Sequence, residues 1–403
     1  MRKCLLVVLV IGVLMGLTAA TAMALPTHCL TGYWQNFTNG ATNLKLASVP
    51  TTYDIIAVSF ANATGTPGAV SFSLDPTLAS ALGGYTDAQF KADVSTCKGR
   101  GQAVVISVGG QNGSISVSDS SSATNFANSI VSLINNYGFS GVDIDLENGI
   151  SPQYMAQALN SIASQKPGVV ITMAPETLFM QSTSSTYFDL ALRVKSILTV
   201  VNTQYYNSGS MLGYDGKVYS QGTVDFFTAL ATIQLQGGLA QGQVGLGCPA
   251  SPSGAGSGYV DPSVVNNALN CLAAGSGCGS FRPPATYPNL RGAMDWSINW
   301  DASNGYNFAN KINAIGGGAG GGGVTPPPAS TPTATKTPSP GITPTATKTP
   351  TPSSGGGTWA PNTYYAVGAT VTYGGHTYRC IQAHTSLVGW EPPNVPALWQ
   401  LVS

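Results

Sequence analysis

Between residues 25 and 315 the chain alternates short apolar runs with longer stretches of helical length, and glycine or polar residues mark nearly every junction. The runs fall at 30–34, 55–60, 103–108, 141–146, 169–174, 200–206, 243–247 and 292–296. Runs this short and this apolar read as strands buried on both faces. Helical patterns lie between them, among others at 122–136, 154–164 and 224–236. Eight buried strands alternating with helices predict an α/β chain closed into a (β/α)8 TIM barrel. A doubly wound open sheet would place a glycine-rich phosphate loop after its first strand, and no such loop is present.

The fourth run breaks the apolar rule in an ordered way. Ser140-Gly141-Val142-Asp143-Ile144-Asp145-Leu146-Glu147 places three acids at alternate positions and three aliphatics between them. Side chains on a strand alternate between its faces, so the three acids share one face and the aliphatics the other. Carboxylates taken out of water must be paired, hydrogen-bonded or protonated. Such a row therefore raises at least one pKa and supplies a carboxylic acid able to donate a proton near neutral pH. In a barrel, catalytic groups gather at the C-terminal ends of strands, and Glu147 stands at the end of the fourth. The ends of other strands carry polar and aromatic groups in the same register: Ser107-Val108-Gly109-Gly110, Met173-Ala174-Pro175-Glu176, Gln204-Tyr205-Tyr206-Asn207 and Asp295-Trp296.

The ends of the chain have a different character. Met1-Arg2-Lys3, an apolar stretch over 5–17 and Ala22-Met23-Ala24 form a charged region, a hydrophobic region and a small-x-small cleavage site, so residues 1–24 read as a signal peptide that directs the protein out of the cell. The stretch is too short to span a bilayer. Cys4 leaves with it; of the six remaining cysteines, Cys271 and Cys278 bracket a glycine-rich turn and are placed for a local bridge. Neither their spacing nor the three histidines suggests a zinc site, and no metal or other cofactor is expected.

Glycine dominates 316–323, and Thr, Pro, Ala and Ser fill 325–352, where Thr-Pro-Thr-Ala-Thr-Lys-Thr-Pro occurs at 331–338 and again at 343–350. This composition builds no core; residues 316–357 read as a flexible hinge followed by a stiffer polyproline-II spacer, roughly 80 Å long at about 3.1 Å per residue. It separates a barrel over 25–315 from a small unit over 358–403. Net charge is zero and only 8% of residues are charged, which argues against nucleic acid or a membrane surface as partner and suits a neutral polymer.

Taken together, the acidic strand, Ser-Val-Gly-Gly on the third strand and Gly32-Tyr33-Trp34-Gln35-Asn36 on the first make residues 25–315 resemble glycoside hydrolase family 18, the chitinases, and within it a group of secreted bacterial enzymes. One departure stands out: the first acid of the family signature is Ser140 here. The resemblance implies retaining, substrate-assisted hydrolysis of β-1,4-linked N-acetylglucosamine, an exception to the usual two-carboxylate scheme. Carried onto this chain, it makes Glu147 the acid and then the base, Asp145 the group that orients the substrate acetamide, Asp143 its deeper partner sharing a proton or hydrogen bond with it, and Tyr206 the donor to the acetamide oxygen. It places Trp296 at the floor of the subsite, with Tyr33, Gly110, Met173, Gln204 and Asn207 lining it. Only a short segment separates the seventh and eighth strands, so an open groove and endo action are expected, in a monomer acting on chitin and chitooligosaccharides.

The small unit resembles the all-β chitin-binding modules of carbohydrate-binding families 5 and 12, through Tyr-Gly-Gly-His-Thr-Tyr-Arg-Cys at 373–380 and the segment 383–399. The resemblance implies that Trp390, with Pro392 and Pro396, meets chitin, whereas Trp399 belongs to the core and His384 is structural. Two other readings share the barrel: an endo-β-N-acetylglucosaminidase acting on glycoproteins, and a non-catalytic lectin, which would be expected to lack the terminal acid that Glu147 supplies.

Overall fold

Eight parallel strands pair edge to edge in the computed structural model, which describes residues 25–312, 357–360, 363–381, 384–386, 391–393 and 398–402. They are β1 (Cys29–Gln35), β2 (Ile55–Ala63), β3 (Ala103–Gly110), β4 (Gly141–Leu146), β5 (Val170–Met173), β6 (Val200–Gln204), β7 (Val244–Pro249) and β8 (Gly292–Trp296). Each pairs with the next, and β8 returns to β1, so the sheet closes. Outside it run α1 (Asp87–Gly99), α2 (Ser120–Tyr137), α3 (Pro152–Gln165), α4 (Thr186–Arg193), α5 (Val224–Gln236), α6 (Pro262–Ala274) and α7 (Ile298–Ser303). After β1 the helical position holds only the 3-10 turn Leu46–Ser48. The expected strands and helices are all present, with ends shifted by up to three residues. β2 runs on to Ala63, and β6 stops at Gln204 and leaves Tyr205 and Tyr206 beyond it.

Local chemistry sets these boundaries. α2 begins where Asp119 accepts the Ser122 amide and Ser122 returns a bond to the Asp119 amide, a capping box. The alternation in β4 is realised: Val142, Ile144 and Leu146 pack outward against the helices, while Asp143 and Asp145 point into the barrel. A separate apolar layer inside the barrel, including Ile55, Ala57, Ala103, Val105, Val170 and Val200, fills the space below the acids. Burying both faces of β4 leaves all six of its residues out of water.

Cys271 and Cys278 are joined by a disulfide, whereas Cys29, Cys97 and Cys248 are buried thiols. The chain divides into two units after Gly323. In the smaller one, Thr370–Tyr373 and His376–Cys380 form an antiparallel hairpin across Gly374-Gly375, both at positive φ (58° and 83°) as a tight hairpin turn requires. Trp359, Tyr365, Val371, Tyr378, Leu398 and Trp399 make its core, so Trp399 packs inside as expected. Pro392, expected at the chitin-binding face, is buried as well; a ring inside the fold cannot meet a polymer surface. Residues 1–24, expected as a signal peptide, residues 313–315 at the expected end of the barrel, 316–356 of the expected spacer, Trp390 and Pro396 lie outside the described residues. Among the described residues no helix is long and apolar enough to cross a membrane.

Candidate active site

The C-terminal ends of the strands surround a cleft of about 1280 Å³, and β4 supplies its acids in order of depth. Asp143 is the deepest, 1% exposed. Three hydroxyls donate to it: Tyr33 at 2.8 Å and Ser107 at 2.7 Å to Oδ2, and Thr172 at 2.6 Å to Oδ1. Burial raises its pKa and the three hydrogen bonds pull it back. Asp145, one step higher, receives a single side-chain bond, from Gln204 Nε2 at 2.9 Å. Burial first, then the neighbouring charges of Glu147 and Asp143, lift it well above the carboxylate range. Of the two aspartates, Asp145 is the one its surroundings push further toward the protonated form, while three donors favour the carboxylate at Asp143. The two aspartates also couple through charge.

Glu147 stands one residue beyond the strand, half-buried on the cleft wall. Burial raises its pKa, opposed by Gln204 Nε2, which reaches Oε1 at 3.3 Å. Gln204 also donates to the Ala174 carbonyl at 2.9 Å. It thus ties Asp145, Glu147 and the end of β5 together, a bracing role in addition to the expected lining one. Tyr206 lines the cleft with its hydroxyl held protonated by burial and by the charges of Asp145 and Glu147.

Trp296 forms part of the cleft surface. Phe60 stacks against it (ring centroids 5.9 Å apart), Tyr33 meets it edge-on at 5.5 Å and Phe37 flanks it at 6.4 Å. Tyr33 is 1% exposed and does not line the cleft; its ring supports Trp296 from beneath while its hydroxyl serves Asp143. Gly110 does line the cleft. Its neighbour Gly109, at φ 125°, lies against the backbone of β4, and a Cβ there would collide with the Asp145 carbonyl.

Met173 does not reach the site. Thr172 and Ala174 face inward, so Met173 faces outward by alternation and packs among the helices, fully buried. Asn207 borders the cleft at φ 52°, but its Oδ1 accepts the Ser257 amide at 3.0 Å, which makes it an anchor for the loop after β7. Ser140 lies at the opposite end of β4, where its Oγ accepts the Val104 amide at 3.2 Å. The departure from the signature is therefore remote from the cleft.

Phe37 and Phe60 are cleft residues that the strand pattern did not single out, and Glu176, noted at the end of the fifth strand without a role, lines the cleft as well. It is half-buried, and burial followed by the Glu147 charge raises its pKa to about 7.

Residues 30–311 match the family model for glycosyl hydrolases family 18, well over half of the chain. The chain belongs to glycosyl hydrolase family 18. Residues 358–400 match carbohydrate-binding module family 5/12. Among solved family 18 relatives, a Streptomyces coelicolor protein assigned as chitinase A is 62% identical with a TM-score of 0.69, covering 71% of this chain and 97% of that one. A family 18 chitinase from Chromobacterium violaceum is 32% identical with a TM-score of 0.67, covering 72% of this chain and 84% of that one. Chitinase D of Niallia circulans is 37% identical over 321 residues, 70% of this chain and 60% of that protein. The chain thus spans about 60% of the length of the curated relatives it matches first.

Proposed function

We propose that this family 18 protein is a secreted chitinase that cleaves β-1,4-N-acetylglucosaminyl linkages with retention, using the substrate's own acetamide. The observation that carries the reading is the division of labour among the acids of one strand. Three hydroxyls favour the carboxylate at Asp143, burial and neighbouring charge push Asp145 toward the protonated form, and Glu147 is raised by burial at the cleft edge. In this scheme Glu147 protonates the departing glycosidic oxygen. The acetamide oxygen attacks the anomeric carbon and closes an oxazolinium ring, whose positive charge Asp145 and Asp143 stabilise. Tyr206 donates to the acetamide, Trp296 carries the sugar ring, and Glu147 then takes a proton from water.

The open cleft supports endo action on a long chain, and the carbohydrate-binding module favours an insoluble polysaccharide over a glycoprotein. The signal sequence supports secretion, and the spacer leaves the module free to hold the enzyme at the solid. An intact Glu147 separates this reading from a lectin.

Replacing Glu147 by Gln keeps the shape of the side chain and removes the proton donor, a contribution typically worth about 10²–10⁴-fold. Glu147→Gln is expected to lower chitooligosaccharide hydrolysis at least about a hundredfold while binding persists. Near-normal turnover by this variant would remove Glu147 from the chemistry.

A further inference from the structure

On the outer face of the strands that carry Tyr33 and Trp296 lies a second buried acidic group, which the proposed reaction does not use. The ring of Tyr53, just before β2, lies over Gly32 of β1; a side chain at Gly32 would collide with this ring and with Ile298. The Tyr53 hydroxyl oxygen is 2.5 Å from Asp295 Oδ2 and 2.8 Å from Asp301 Oδ2. All three residues are fully buried. Asp295 immediately precedes Trp296 at the end of β8, and Asp301 lies in α7.

A phenol carries one hydrogen. Between two carboxylates it could satisfy one, leaving the other pair of oxygens in contact with no hydrogen between them. One carboxyl must therefore bring its own proton, and the remaining partners show which. The Phe308 amide donates to Asp301 Oδ1 at 2.8 Å and the Ala309 amide to Oδ2 at 3.0 Å, which favours the carboxylate form there. Asp295 is faced by the Tyr53 hydroxyl, Asp301, the Cys248 thiol of β7 and the Tyr33 amide, while Tyr306 faces Asp301. None of the ion pairs among the described residues involves either aspartate.

We propose that Asp295 is kept as the neutral acid, donating to Tyr53, which in turn donates to ionised Asp301, and that this chain positions the end of β8 beneath the cleft floor. Burial, ahead of repulsion from Asp301, acts in the same sense by pushing Asp295 well above the carboxylate range. Asp295 is thus a positioning residue for Trp296.

The test is the pH dependence of equilibrium unfolding of the full chain. An unfolded aspartate has a pKa of about 3.9; because the folded value is higher, the folded protein holds one proton more, and stability falls as pH rises from the unfolded towards the folded pKa. Asp295→Asn keeps a hydrogen-bond donor towards Tyr53 and removes this titration. Relative to that variant, the unfolding constant of the unmodified chain is expected to rise about tenfold per pH unit above about pH 5. Parallel curves would overturn the proposal.

Asp301→Asn deprives two amides of their carboxylate, so its Tm should fall by roughly 3–10 °C while the one-proton slope remains. Loss of the slope in Asp301→Asn with its retention in Asp295→Asn would put the proton on Asp301 and also overturn the assignment. The positioning role rests on the proposed function: Asp295→Ala should raise KM for chitooligosaccharides several-fold and Asp295→Asn should restore it. An unmodified chain that does not hydrolyse chitin would sink that functional reading, whereas the proton count is read from unfolding alone.

Discussion

Three carboxyl groups from two adjacent strands, Asp145, Glu147 and Glu176, line one cleft with a fourth, Asp143, buried beneath them, and their environments differ enough to give them different tasks. Asp143 has three hydroxyl donors, Asp145 one amide, and Glu147 a longer contact to that same amide. Glu176 feels the charge of Glu147 and titrates at about 7. Interaction between two acids is mutual. The Glu147–Glu176 pair therefore gives up its second proton at higher pH than either acid would alone, which keeps a proton available to Glu147. Glu176→Gln removes the Glu176 charge, and the alkaline limb of kcat/KM should move to lower pH by roughly half a unit to one unit. A limb that stays in place or moves to higher pH would show that Glu176 does not act on the acid. Residue types and spacing revealed the three acids of β4, because alternation alone puts them on one face. The tasks of Tyr33 and Gln204 were not legible, since each depends on partners 110 and 59 residues away.

At the scale of the elements, the barrel was legible from eight apolar runs, and the acidic strand was found in its place. The error over Met173 shows where such reading fails. The segment 169–174 contains both parities, and the polar residue Thr172 is the one that faces the acids, which turns Met173 outward. A single buried threonine in an apolar run was the signal. The paired glycines of β3 mark a point of close backbone approach. Gly109 combines positive φ with contact against the Asp145 carbonyl, so Gly109→Ala adds backbone strain of roughly 1–3 kcal/mol and pushes on the strand that holds the acids. Thermal unfolding should show a Tm lower by several degrees, with activity lost in parallel. An unchanged Tm would mean that the two strands separate without cost.

Across the whole molecule, a barrel bearing the acids and a small β-unit with an aromatic core flank, in sequence, a segment rich in Gly, Thr and Pro. A tethered binding unit raises the local concentration of the enzyme at a solid without shaping its cleft. Ending the chain before Gly316 leaves β1–β8 intact. It should weaken adsorption to crystalline chitin and hydrolysis of it, while turnover of soluble oligosaccharides stays nearly unchanged. Adsorption as tight as that of the full chain would remove the binding role from the small unit.

The central claim, that the acetamide of the substrate is the nucleophile, is tested most directly by NMR of the first sugars released from soluble chitooligosaccharides by the full chain. Double displacement through an oxazolinium ring predicts that the new reducing ends appear as the β-anomer, with the α-anomer growing in only as they mutarotate. Fresh product that is mainly the α-anomer would contradict the account.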